Sequence, residues 1–170
     1  SSPSFGGLTA NVHYQLGEQP DTNGPRNVGI NLLYFGGPFS ATLFYERDNI
    51  ANPVSAPFAT GDTKTDWMVG AAYDFTAVKL FATYGRAKSD VLVPKARTAS
   101  LGASVPLGGG KLLAGIARTE VDPGNTRKTT TVGYDYNLSK STDVYAMVMR
   151  DSITTFSSGT SFGAGIRKRF

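Results

Sequence analysis

The chain holds 170 residues, with 17 Lys and Arg, 13 Asp and Glu, a formal net charge of +4, 40% hydrophobic residues, 20 glycines and no cysteine. That length fits one domain, and the lack of cysteine excludes disulfide frameworks and thiolate zinc sites. No apolar run approaches the ~18 residues of a transmembrane helix, whereas a membrane β-barrel stays open because its strands need only alternate. The opening SSPSFGG carries neither the basic nor the apolar region of a secretory signal, as expected of a mature, processed or truncated chain, or of a cytosolic one. Basic residues are scattered, apart from Arg127-Lys128 and the closing RKRF. With no RNP motif, finger spacing or basic helix, nucleic-acid binding is not expected.

Period-two alternation runs through the whole chain and helical periodicity is hard to find. LTANVHYQL sets Leu8, Ala10, Val12, Tyr14 and Leu16 against Thr9, Asn11, His13 and Gln15. NVGINLLYF, FSATLFYE and DWMVGAAYDF repeat the pattern, and it continues through VKLFATYG, TASLGASVPL, KLLAGIAR, TTTVGYDYNL and DVYAMVMR. The last ten residues close it, with Phe162, Ala164, Ile166 and Phe170 on one parity and Gly163, Gly165, Arg167 and Arg169 on the other. Because side chains alternate across a strand, the count is ten strands, each greasy on one side. Leu113 and the Met147/Met149 pair leave the facing of the seventh and ninth strands open.

The connections alternate as well. GGP, FTAV, LGGGK and LSKST are tight, whereas GEQPDTNGPR, RDNIANPVSAPFATGDTK, AKSDVLVPK, EVDPGNTR and DSITTFSSG are longer and polar. This places the turns at one end of the sheet and the loops at the other, the asymmetry of an outer-membrane barrel. Many strands reach the ~9–11 residues that cross a bilayer at a tilt. Aromatic residues (Tyr14, Tyr34, Tyr45, Trp67, Phe75, Tyr84, Tyr134, Tyr136) lie toward the ends of the apolar faces, as interfacial girdles require. The fold class is therefore all-β, an antiparallel transmembrane β-barrel with ten strands in residues 1–170. A non-conducting structural barrel and a soluble β-barrel binding module are the competing readings.

At this point the residues resemble the Gram-negative trimeric porins of the β-proteobacterial type. GYDYNLSKSTDVYA is similar to that family's penultimate hairpin, GIRKRF to its closing signature, SPSFGGLTANVHY to an internal strand opening, and GGPFSATLFYE to a turn and strand. The resemblance implies sixteen-stranded barrels about twice this length, of which the chain corresponds to the C-terminal ten strands. It also implies a homotrimer in the bacterial outer membrane, passing small hydrophilic solutes and ions by passive diffusion. In the same way it implies that Phe162, Ile166 and Phe170 form a terminal signal read by the outer-membrane assembly machinery. An open sheet edge in hydrocarbon leaves backbone groups unpaired, so the first strand is expected to pair with the tenth or with strands outside this sequence.

A diffusion pore needs a wet wall and a charge bias rather than a catalytic group. Pore-lining parity is expected for His13, Lys79, Arg167 and Arg169, opposed by Glu46, Asp66, Asp74 and Asp135. Lys79, Arg167 and Arg169 near the turn end suggest a cationic ring and a weak anion preference, set against the plainer reading that they pair with Asp74 and Asp135. Arg86, Arg97, Arg118 and Arg150 fall near the loop ends with their facing open. The sole histidine, His13, sits mid-strand with the wrong parity for lipid-facing hydrolysis, so no enzyme activity is expected. LGGGKL lacks a hydroxyl residue after its lysine and opens no helix, so it reads as a hairpin and not a phosphate loop. No cofactor and no metal are expected.

Overall fold

In the computed structural model, which describes residues 1–15, 27–49, 62–90, 95–122 and 124–169, the period-two segments become one ten-stranded sheet. The strands are β1 (Leu8–Gln15), β2 (Asn27–Gly36), β3 (Phe39–Asn49), β4 (Thr63–Asp74) and β5 (Lys79–Ser89). They continue as β6 (Ala96–Leu107), β7 (Gly110–Val121), β8 (Asn125–Asn137), β9 (Thr142–Ile153) and β10 (Phe156–Lys168). Every strand pairs antiparallel with its neighbour in the chain, in the order β1 to β10. Among the described residues β1 and β10 do not pair with each other, so the sheet does not close as a ten-stranded cylinder.

Glycine chemistry builds the tight end. Gly6 and Gly7 have φ of 58° and 87°, and Phe5 and Leu8 exchange backbone hydrogen bonds of 2.9 and 3.0 Å across them. Left-handed geometry at both central residues matches the twist of a two-residue hairpin. Beyond that turn the Ser2 N–H donates to the Ala10 carbonyl at 2.7 Å, and the Ala10 N–H donates to Ser2 Oγ at 2.9 Å. Ser2–Phe5 thus lies along the outer edge of β1. Between β4 and β5, Thr76 takes φ 72°, a region costly for a branched residue, and its N–H donates to Asp74 Oδ1 at 2.8 Å.

At the other end, most residues of the first three expected loops lie outside the described ones. The last two differ from expectation. β7 runs to Val121 and β8 starts at Asn125, while only Thr154 and Thr155 separate β9 from β10. EVDPGNTR and DSITTFSSG are therefore mostly strand, joined by short turns. Polar residues that serve turns and ladders alike explain the misreading: Asn125 and Thr126 open β8, and Ser157 and Ser158 lie in β10, whereas Thr154 and Thr155 make the turn itself. The Thr126 N–H donates to Thr154 Oγ1 at 3.0 Å, and the Thr154 N–H donates to the Thr126 carbonyl at 3.0 Å. The register slips once, between Phe156 and Gly159.

Register carries one apolar face across the whole sheet. One row reads Leu32, Leu43, Val69, Tyr84 and Ala99; another reads Phe39, Tyr73, Leu80, Ala103, Ala114, Val132, Val148 and Phe162. The open facings are thereby settled. Leu112, Ala114 and Ile116 of β7 and Val144, Ala146 and Val148 of β9 belong to the apolar face, and Leu113, Met147 and Met149 to the polar one. No hydrophobic residue among the described ones is buried; Val12 is 69% exposed and Ile166 72%. A soluble sandwich or binding barrel would bury such a face. Aromatic pairs flank the band, with Tyr34–Phe39 (centroids 6.0 Å) and Tyr73–Phe75 (4.5 Å) toward the turns and Trp67–Tyr84 (5.7 Å) toward the loops.

Val69→Lys is expected to destabilise the protein by ~2–4 kcal/mol in urea titrations of vesicle-inserted protein, whereas Ala72→Lys on the opposite face costs far less. Thr76→Gly is expected to stabilise by about 1 kcal/mol in the same assay, because it relieves the left-handed penalty.

Candidate functional site: the polar face

The polar face carries three charged groups and a wall of small residues between them. At the turn end of β8–β10, Arg167 is the hub. Its Nε donates to Asp143 Oδ1 at 3.1 Å, and one terminal nitrogen donates to Asp143 Oδ2 at 2.5 Å and Asp135 Oδ2 at 2.9 Å. Arg169 reaches Asp143 Oδ1 at 3.3 Å and Lys111 reaches Asp135 Oδ2 at 3.7 Å. Asp143 and Asp135 are 1% and 6% exposed. Ionised carboxylates so enclosed require paired cations, and the planar guanidinium supplies a forked match. Alternation places them: Asn137 opposes Asp143, which opposes Arg167, so all three side chains rise on one face.

Toward the loop end of β1–β4, carboxylates dominate. Glu46 and Asp66 are directly opposed, a repulsive pairing unless cations intervene. Lys64 forms an ion pair with Asp66, and His13 Nε2 lies 3.4 Å from Glu46 Oε1. The histidine reaches across Gly29, where a Cβ would fall 2.0 Å from its Cε1, so only glycine admits that crossing. Farther around, Arg127 donates to Asp151 at 2.8 and 3.0 Å, and Thr129 Oγ1 donates to Asp151 Oδ1 at 2.7 Å. Between the groups, Thr42, Gly70, Thr83, Ser100, Ala117 and Thr129 share one row, with Thr83 and Ser100 hydroxyls 2.6 Å apart.

All eight residues expected to line a pore share this face. The structure brings His13 to Glu46 and Arg167 and Arg169 to Asp143, with Arg167 also reaching Asp135. It does not gather a ring: Lys79 lies on β5 and the arginines on or just beyond β10. Lys79 Nζ instead lies 5.7 Å from the centre of the Phe81 ring, and Asp74 holds the Thr76 turn. Sequence reasoning passed over Asp143, Lys111, Lys64 and the Arg127–Asp151 pair. Counting strand positions from the LSKST turn would have found Asp143. Phe162 and Ile166 stand on the apolar face of β10, 82% and 72% exposed, while Phe170 lies outside the described residues.

A ten-stranded sheet with an uncovered apolar face, aromatic flanks and a charged polar face is the wall of a membrane barrel. A family model described as Gram-negative porin matches residues 1–155. The chain belongs to the Gram-negative porin family. Among its relatives is an outer membrane porin protein of Bordetella pertussis, 27% identical, with 99% of this chain and 56% of that protein covered. Another is outer membrane porin protein 32 of Delftia acidovorans, 29% identical over 85% of this chain and 42% of its own length. The solved anion-selective porin from Comamonas acidovorans superposes with a TM-score of 0.79 at 25% identity, covering 99% of this chain and 57% of that one. A loop-deletion form of the Vibrio cholerae outer membrane protein OmpT shares the fold, with TM-score 0.77 and 18% identity over 98% of this chain and 60% of its own. The chain thus spans about half the length of the curated relatives it matches. As a member of this family it is an outer-membrane β-barrel protein.

Arg167→Ala is expected to lower the temperature at which the porin loses its compact migration in detergent gels, since two enclosed carboxylates lose their shared cation. Arg167→Lys recovers only part of the loss, because an ammonium cannot bond both carboxylates as a fork.

Proposed function

We propose that residues 1–170 form the C-terminal part of the wall of a water-filled barrel through which small hydrophilic solutes and ions diffuse passively. The observation that carries this reading is the separation of an apolar face from a polar one, carried across nine registers. Hydrocarbon takes one side, and a hydrated lining of Thr, Ser, Gly and paired charges remains for the other. Strands outside the ten described here complete the cylinder, since each backbone group in hydrocarbon needs a partner. The assembled porin is a homotrimer, inserted by the outer-membrane assembly machinery through the Phe162, Ile166 and Phe170 terminus. The wall does no bond chemistry, so we read the protein as a channel and not an enzyme.

A weak anion preference belongs to the same proposal. At the turn-end mouth Lys79, Lys111, Arg167 and Arg169 face Asp74, Asp135 and Asp143, a surplus of one cation. The similar Comamonas protein is described as anion-selective. Near the loop end Glu46, Asp48, Asp66 and Asp151 outnumber Lys64 and Arg127 by two, so the named charges of the polar face sum to −1 and the anion preference rests on the cationic turn-end mouth.

Planar-bilayer recordings test this. In a salt gradient the reversal potential is expected to take the sign of chloride permeation, and Arg169→Glu is expected to move it toward the potassium side. Absence of channels, or cation preference in the unaltered protein, would remove the corresponding claim.

A further inference from the structure

The polar face is not hydrophilic throughout. Phe35 of β2 and Phe81 of β5 stand on it, 64% and 39% exposed. They belong to one row: Phe35 opposes Ser40, Ser40 opposes Ala72, and Ala72 opposes Phe81. Three strand spacings, about 14 Å, therefore separate two aromatic side chains. Only a hydroxymethyl and a methyl group rise between them. Residues of one row stand side by side on the same wall, so two large ones flanking two small ones leave a bay. Aromatic surface bare to water favours an occupant that covers it.

A charged pair borders the bay on its turn side. Asp74 is the direct partner of Lys79, an arrangement in which opposite charges ordinarily join. Here they do not. Among the described residues Lys79 forms no ion pair with a carboxylate, and its Nζ lies 5.7 Å from the centre of the Phe81 ring. Asp74 Oδ1 accepts the Thr76 N–H at 2.8 Å instead. Two adjoining depressions share Phe35 and Ser40. One, of about 450 Å³, is also lined by Asp74, Thr76 and Lys79; the other, of about 240 Å³, continues past Gly70 and Ala72 to Phe81. An ammonium, a carboxylate and two phenyl rings thus border one concavity. Small-molecule sites have this make-up, apolar walls for the body of the ligand and a few polar groups that fix its orientation.

We infer that this bay binds the zwitterion of an aromatic amino acid. The ligand carboxylate meets Lys79 Nζ, its ammonium meets the Asp74 carboxylate, and its ring enters between Phe35 and Phe81 over Ser40 and Ala72. Both polar contacts are charge-assisted, and the ring gains offset or edge-on aromatic neighbours. The unjoined charges single out the class. A sugar would use the rings and hydroxyls and leave both charges idle. An aromatic acid without an amine would satisfy Lys79 but bring a second carboxylate beside Asp74. A chain segment folded against the wall would fill the bay and leave no room for a solute. The inference rests on reading this face as a channel lining and adds to that reading a class of solute.

The test is ligand-detected saturation-transfer NMR on the detergent-solubilised porin, with the signal from protein-free micelles subtracted. L-Phenylalanine is expected to bind saturably. It is expected to bind more tightly than phenylpropionate, which lacks the ammonium, phenethylamine, which lacks the carboxylate, and glycine, which lacks the ring. Lys79→Gln, Asp74→Asn and Phe35→Ala are each expected to weaken phenylalanine binding about fivefold, the scale of one exposed charge pair or ring contact. The Asp74→Asn side chain still accepts the Thr76 N–H, so that turn is kept. Lys79→Gln is further expected to erase the preference over phenethylamine, and Asp74→Asn the preference over phenylpropionate; a merely structural effect would not match variant to ligand in this way. Lys140→Gln, at a different turn, is expected to leave affinity unchanged. Equal affinity for any of the three fragments in the unaltered protein, undiminished affinity in Lys79→Gln or Phe35→Ala, or no saturable binding would each overturn the site. Binding needs no conductance, so site and pore fail separately: channels without phenylalanine binding remove the site, and binding without channels removes the pore. Should a variant fail to fold, the ranking of the ligands on the unaltered protein decides the question alone.

Discussion

The backbone cannot enter hydrocarbon with unpaired N–H and C=O groups, and every other feature of this chain follows from that. Each peptide group left bare in lipid costs several kcal/mol, so a strand is admitted only with partners on both sides. From β2 to β9 the sheet meets the demand by the shortest connectivity available, each strand with its predecessor and its successor, while β1 and β10 each pair with one named strand. Period-two chemistry then becomes obligatory, because a register slip of one residue would turn an entire apolar row toward water. The uncovered Val12, Leu43 and Val69 are thus ordinary surface residues of a protein whose solvent on that side is lipid.

Charge is divided by the same alternation. On the polar face nearly every cation has a carboxylate at hand, as around Arg167 and at Arg127–Asp151. On the apolar face cations stand beside cations, as at Arg86–Arg97 and Arg118–Lys128. The whole-chain charge of +4 therefore misdescribes the polar face, whose charges are close to balanced. A basic composition in a membrane barrel has two possible destinations separated by one residue of register, and only the pairing tells them apart.

Much of this was legible beforehand. All ten strands, the tight turns and the separation of faces follow from the spacing of Leu, Val, Tyr and Gly, because alternation is imposed locally by the pleat. The eight residues assigned to the polar parity lie there. What escaped has identifiable causes. Leu113, Met147 and Met149 are apolar residues on the polar face, and parity alone cannot rank them against Leu112 and Val148. Asn125–Arg127 and Phe156–Ser158 read as loop because Asn, Thr and Ser serve turns and ladders alike. The pairing of Arg167 with Asp143 depends on neighbours 24 positions apart, which alternation within a strand does not report. The four arginines near the loops could be placed only once a continuous register linked them to Leu43 and Val69.

The short joints after Val121 and Ile153 have a practical meaning. Over β7–β10 the loop-end rim is a low hedge of strand ends, since β7 runs to Val121, β8 starts at Asn125 and only Thr154 and Thr155 separate β9 from β10. Gly124, at φ 97° and with nothing within 4 Å of where its Cβ would be, forms the crest of one of them. A foreign peptide spliced beside Gly124 would begin and end on paired strands and meet no neighbouring atom at that position, which makes this hairpin a natural insertion point.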